Sequence, residues 1–99
     1  MKVQTHSVQF KADKKLLDYI EKKTAKLEHF FSKILEADVF LKLENSGQVK
    51  DKVVELRIKV PGETLIVKDS NKTFEESVDH VVDVMSRNLK RYKERVQGR

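Results

Sequence analysis

The apolar residues of this chain change period twice, from helical to alternating and back to helical, and no other feature limits the possible folds so strongly. Leu16, Leu17, Ile20, Leu27, Phe31 and Ile34 recur every three or four residues, with Thr24 completing the row, the spacing of one helix face. Asp13 stands where an N-cap is needed, since its carboxylate can accept from amides that the first turn leaves unpaired. Together they predict a helix over about 13–33. From Ala37 the period drops to two: Ala37, Val39, Leu41 and Leu43 share one side, and Asp38, Phe40, Lys42 and Glu44 the other, a half-buried strand. Asn45-Ser46-Gly47 supplies turn residues, and Val54, Leu56, Ile58 and Val60 alternate with Val53, Glu55, Arg57 and Lys59 as the next strand. Pro61-Gly62 sets a tight turn before a strand from Glu63 to about Lys68. Helical spacing then returns in Phe74, Val78, Val81, Val82, Met85, Leu89, Tyr92 and Val96, behind a capping-box pattern of Thr73 and Glu76. This predicts a long second helix over about 73–96.

Ahead of the first helix, Val3 and Thr5 alternate with Lys2, Gln4 and His6, a short stretch that reads as an opening strand. The order is therefore βαβββα, an α+β fold. Strands separated by a helix pair in parallel through a right-handed crossover, and the next three form a meander. The expectation is a four-stranded mixed sheet with both helices packed on one face. The other sheet face stays wet, with Phe40, Val53 and Ile66 scattered among charged residues.

At 99 residues the chain is expected to form a single domain over 1–99 around one core. It has no cysteine, which excludes disulfides, thiolate metal ligands and thiol redox chemistry. No stretch has the length and apolarity of a signal peptide or a membrane span, so a soluble cytoplasmic protein without membrane contact is expected.

The search for catalysis is negative. His6, His29 and His80 fall on three different elements, and none has a second histidine at i,i+4, so no metal site is expected. Gly47, Gly62 and Gly98 are the only glycines, too scattered for a phosphate-cradling loop, and no serine stands in a nucleophile-elbow context. Most carboxylates lie beside Lys or Arg on solvent faces, where ion pairing is the plainer reading. Neither catalytic residues nor cofactors are expected.

Positive charge carries the remaining signal. The fifteen Lys and Arg of residues 1–86 are matched by fifteen Asp and Glu, so the net charge of +5 comes from residues 87–99. There Arg87, Lys90, Arg91, Lys93, Arg95 and Arg99 face Glu94 alone. Bases gathered at one end suit a polyanion, because neutralising phosphates releases counterions. They also complement the helix dipole, since the acids of that helix come early. On a 100° helical wheel Lys15, Lys22, Lys26 and Lys33 fall within about 40° of one another. Arg87, Lys90, Arg91 and Arg95 occupy the exposed arc of the second helix, with Lys93 nearer its buried boundary. With both helices on one side of the sheet, these edges could merge into a groove that tracks an RNA backbone. No glycine-aromatic strand motif is present to read bases. His29 and Tyr92 are the possible stacking residues, although Tyr92 falls on the core face, where packing is the plainer role.

Four stretches resemble the ribosome hibernation-promoting factor and ribosome-associated inhibitor family: Leu16 to Lys23, Ala25 to Ile34, Val39 to Glu44, and Leu89 to Lys93. The resemblance spans nearly the whole chain in the same βαβββα order. It implies binding to ribosomal RNA of the small subunit, in the channel of messenger and the A- and P-site transfer RNAs, which would inhibit translation and preserve idle ribosomes under stress or in stationary phase. It assigns RNA contacts to Lys23, Lys26, Arg87, Lys90, Arg91 and Lys93. Lys22, Lys33 and Arg95 join the candidate set on helix position. The pattern departs at Lys72 to Val78, at the start of the second helix, which leaves any contact made there open. The end at Arg99 looks like a short form, a monomer off the ribosome, that would need another protein to pair ribosomes. The alternative is a protein-interaction module that docks a partner on the exposed sheet face. A small hydrolase or nuclease is the third reading, disfavoured by the absent motifs.

Overall fold

Alternating apolar residues build strands here because one sheet face has two helices to bury it. A computed structural model of the chain describes residues 1–46 and 49–97. Its elements are β1 (Val3–Val8), α1 (Lys14–Ala25) with a short 3₁₀ turn (Lys26–His29), β2 (Glu36–Ser46), β3 (Val49–Val60), β4 (Glu63–Asn71) and α2 (Phe74–Gln97). Strand order in the sheet is β1-β2-β3-β4. β1 and β2 run parallel, with Val3 opposite Ala37 and Thr5 opposite Val39; β2, β3 and β4 form an antiparallel meander. This is the expected α+β fold, a four-stranded mixed sheet with both helices on one face.

The register aligns Val39, Leu56 and Val67 across the sheet, and beside them Ala37, Ile58 and Leu65. Against these inward rows α1 sets Leu16 and Ile20, the 3₁₀ turn sets Leu27, and α2 sets Val78, Val81, Met85 and Leu89, in one buried cluster. Asp13 caps α1 by accepting from the Leu16 amide at 2.8 Å. Thr73 accepts from the Glu76 amide at 3.1 Å and donates its hydroxyl to the Glu76 carboxylate, a local variant of the capping box. Pro61 and Gly62 turn β3 into β4, with Gly62 at φ +89°, a backbone region that glycine enters without a Cβ clash.

The first helix is shorter than its apolar spacing predicts. It stops at Ala25 and tightens into the 3₁₀ turn, after which the Phe30 and Phe31 amides both donate to the Leu27 carbonyl. The crossover sets this length. A helix joining parallel strands need only retrace β1, six residues or about 20 Å. Twelve α-helical residues span about 18 Å and the four of the 3₁₀ turn about 8 Å more, whereas a helix over 13–33 would run to about 31 Å and overshoot the start of β2. Phe31 and Ile34 still reach the core, but from the connection into β2 rather than from a helix face, and Lys33 leaves the helix with them.

Other boundaries differ less. β2 continues through Asn45 and Ser46, two of the residues expected to turn; Gly47 lies outside the described residues. β4 runs three residues past Lys68, to Asn71. Leu17, Leu43 and Val96 are exposed rather than buried. On the outer sheet face Val53 is 5% exposed yet stands apart from the core cluster, between its cross-strand neighbours Lys42 and Ser70. Phe40 stacks with His6 at 4.6 Å and lies under the Arg57 guanidinium. Among the described residues, Val8 at 42% and Ile66 at 55% are the large apolar side chains left open on the outer face, on opposite edge strands. A face so engaged offers little apolar area to a docking partner.

Candidate nucleic-acid interface

Three of the candidate bases, Lys23, Lys26 and Lys90, sit along a seam where α1 and its 3₁₀ turn lie against α2. The seam is pinned at one end by a network that crosses it. Tyr19 of α1 donates its hydroxyl to Asp79 of α2 at 2.6 Å, and Lys23 reaches the same carboxylate oxygen at 3.5 Å. The hydrogen bond to Asp79 pushes the Tyr19 phenol up to about 12, with burial adding to the shift, so this tyrosine stays a neutral donor. Lys23 is thereby offset by a carboxylate on the facing helix.

Acid collects around this end. Asp69, Glu76, Asp79 and Asp83 surround an open recess with Asn71 and His80. Burial works to raise the Asp69 carboxyl, but hydrogen bonds from His80, the Ser70 backbone and Asn71 outweigh it and hold the group below its usual range. The first turns of α2 are thus a poor surface for phosphate.

Further along, bases gather on both sides of the seam. Phe30, half-buried at the end of the 3₁₀ turn, lies under the Lys90 ammonium at 5.0 Å and shares with Lys23, Lys26 and Ser86 a cleft whose acid end is set by Asp79 and Asp83. Lys90 of α2 thus covers the ring, and Lys26 of the 3₁₀ turn lines the same cleft. At the far end Lys33 and Lys93 line a common pocket.

The nine candidates divide by their partners. Lys23 is paired with Asp79, Arg87 with Asp83 at 3.4 Å, and Arg95 with Glu63 at 3.3 Å. Among the described residues no ion pair holds Lys22, Lys26, Lys33, Lys90, Arg91 or Lys93. A cation without a carboxylate partner presents its full charge to an incoming phosphate, whereas a paired one must first be released. Lys22 stands apart from the seam, in a shallow recess with Asp18 and Glu21, and Arg91 is exposed on α2.

Of the two stacking candidates, Tyr92 is spent on packing. It is 2% exposed, meets Phe31 edge to face and donates its hydroxyl to the Pro61 carbonyl. His29 is exposed on the 3₁₀ turn. The aromatic that does join the basic seam is Phe30, which periodicity does not single out because Leu27 and Phe31 complete the apolar row without it. Its signal is the second ring of the Phe30-Phe31 pair, one more aromatic than a helix face needs. No cluster of side chains suited to a metal ion occurs among the described residues. No helix of the described residues is long and apolar enough to cross a membrane.

Comparison with known proteins converges on one group. The family profile described as Sigma 54 modulation protein / S30EA ribosomal protein matches residues 3–97. The chain is 30% identical over 83 residues to a ribosome hibernation promoting factor of Pseudomonas putida, covering 84% of this chain and 78% of that protein. It is also 30% identical over 84 residues to a ribosome hibernation promotion factor of Picosynechococcus sp., covering 83% of this chain but 44% of the longer relative. A ribosomal subunit interface protein from Coxiella burnetii has the same fold, with a TM-score of 0.82, 19% identity and coverage of 94% and 98%. So does the N-terminal domain of Protein Y from Thermus thermophilus, with a TM-score of 0.81, 24% identity and coverage of 93% and 99%.

Proposed function

Because the chain belongs to the Sigma 54 modulation protein / S30EA ribosomal protein family, we propose that it is a cytoplasmic ribosome hibernation factor. It binds small-subunit ribosomal RNA in the channel of messenger and transfer RNA, so that an idle ribosome is silenced and preserved. The observation that carries this reading is the row of bases that hold no ion pair among the described residues, Lys90 over Phe30 with Lys26 in the same cleft, and Lys33 with Lys93 beyond. Each can neutralise a phosphate and release its counterion. Arg91 widens the contact on α2 and Lys22 extends it along α1. Lys23, Arg87 and Arg95 hold the surface in shape through Asp79, Asp83 and Glu63, and can exchange those partners for phosphate. The inhibitor acts by occupancy as a single copy, without a cofactor or a catalytic step.

Purified protein is expected to co-sediment with isolated small subunits and to inhibit translation in vitro. About six phosphate contacts give a log affinity that falls with log salt at a slope of roughly −4 to −5. Binding confined to large subunits, or affinity indifferent to salt, would overturn the proposal.

A further inference from the structure

The apolar stripe of α2 outruns the sheet. Tyr92 is buried, but Val96, one turn further on, is 54% exposed. It stands at the mouth of a pocket of about 450 Å³ formed where the connection after the 3₁₀ turn, the β3–β4 turn and the end of α2 meet. Phe31 and Tyr92, packed edge to face and buried, close its base, and Val96 is an open apolar wall, while Lys33 and Lys93 stand among the lining residues. The volume lies within the ~300–1,000 Å³ typical of small-ligand sites. Neither lysine is ion-paired among the described residues, although nearby Arg95 is tied to Glu63.

A pocket with one open apolar wall and two ammonium groups that hold no ion pair among the described residues suits a base that carries a phosphate. We propose that this pocket receives one unstacked nucleotide of the bound RNA, its base against Val96 and its phosphate between Lys33 and Lys93. The inference rests on the RNA-binding reading and adds a site to it. The choice of RNA over an acidic peptide follows from continuity: Lys93 lies on the same helix end as Lys90 and Arg91, so a strand on the seam reaches the pocket without leaving the surface. Most of the basic face grips the backbone without regard to sequence, whereas this pocket singles out a position where a base has left its stack. It would thereby fix the register of the protein on the RNA.

Two variants test the pocket while leaving the seam intact. Ser32→Trp fills it from an exposed turn residue, and Val96→Asn removes its apolar wall. Both are bound to isolated small subunits across a salt series, with thermal midpoints measured in parallel, and base reactivity of the ribosomal RNA is mapped with an alkylating reagent. Loss of one stacked base should lower affinity about tenfold at every salt concentration and leave the salt slope unchanged. One base shielded by the unaltered protein should become reactive again. The double variant Lys33→Gln/Lys93→Gln should instead flatten the slope, by somewhat under one unit for each phosphate no longer neutralised. If the folded Ser32→Trp and Val96→Asn proteins bind like the parent with the same reactivity map, the pocket proposal is wrong. It is equally wrong if affinity falls with no base uncovered, as docking of a protein segment would give. If the parent chain itself fails to bind small subunits, the RNA-binding reading falls, and this inference with it.

Discussion

Replacing Lys26, Lys90 and Lys93 together by glutamate should lower affinity for small subunits by more than about a hundredfold at 0.1 M salt. The size of the effect follows from counterion release: at that concentration each phosphate left without its cation removes a factor of about 5–8, so three remove about 100–500 before any repulsion is added. The salt slope should flatten by about two to three units. All three side chains are exposed, so thermal stability should move little. The matching control reverses Lys42, Lys59 and Lys68, exposed residues of the outer sheet face, for an identical change in net charge. It should leave the slope unchanged. Equal losses from both triples would mean that overall charge, not the seam, drives binding.

The second large effect concerns the scaffold that holds the two helix edges together. Leu56 is fully buried at the middle of β3, between Val39 and Val67 and under the helices. Leu56→Ala should cost about 2–5 kcal/mol, the lost transfer energy plus that of the cavity left behind. For a chain of this size that lowers the thermal midpoint by roughly 8–40 °C, at about 4–8 °C per kcal/mol. Ile66→Ala, one strand over on the outer face, should stay within about 0.5 kcal/mol. A small loss at Leu56 in a calorimetric scan would contradict the burial described for it.

Sheet, strand order and the long second helix are legible in the sequence because each depends on a period, and the period of side-chain burial follows directly from strand and helix geometry. The end of the first helix is not. Leu27, Phe31 and Ile34 keep helical spacing whether or not the helix continues, and the stop is imposed by the length of β1, which the crossover must match. Spacing alone therefore puts Lys33 on a helix edge that ends before it. The division between paired and unpaired bases is partly readable, since Asp83 and Arg87 are four apart on one helix. Lys23 with Asp79 and Arg95 with Glu63 join elements distant in sequence, and only the fold brings them together. Phe30 is hidden by a row that looks complete without it. The pocket at Val96 needs a connection, a turn and a helix end to meet, which no local pattern announces. The family resemblance reaches most of the seam bases, whereas ion pairing, which decides how freely each can meet a phosphate, is a property of the tertiary structure.

Competition tests most directly whether the chain silences ribosomes by standing where messenger and transfer RNA stand. Small subunits are titrated with the chain in the presence of increasing messenger and P-site transfer RNA at fixed salt. Mutual exclusion is the expected result, with apparent affinity falling steadily as the RNAs saturate their sites. By reciprocity the chain should displace transfer RNA to the same degree. Small subunits that carry the chain, messenger and transfer RNA together, each at undiminished affinity, would contradict it.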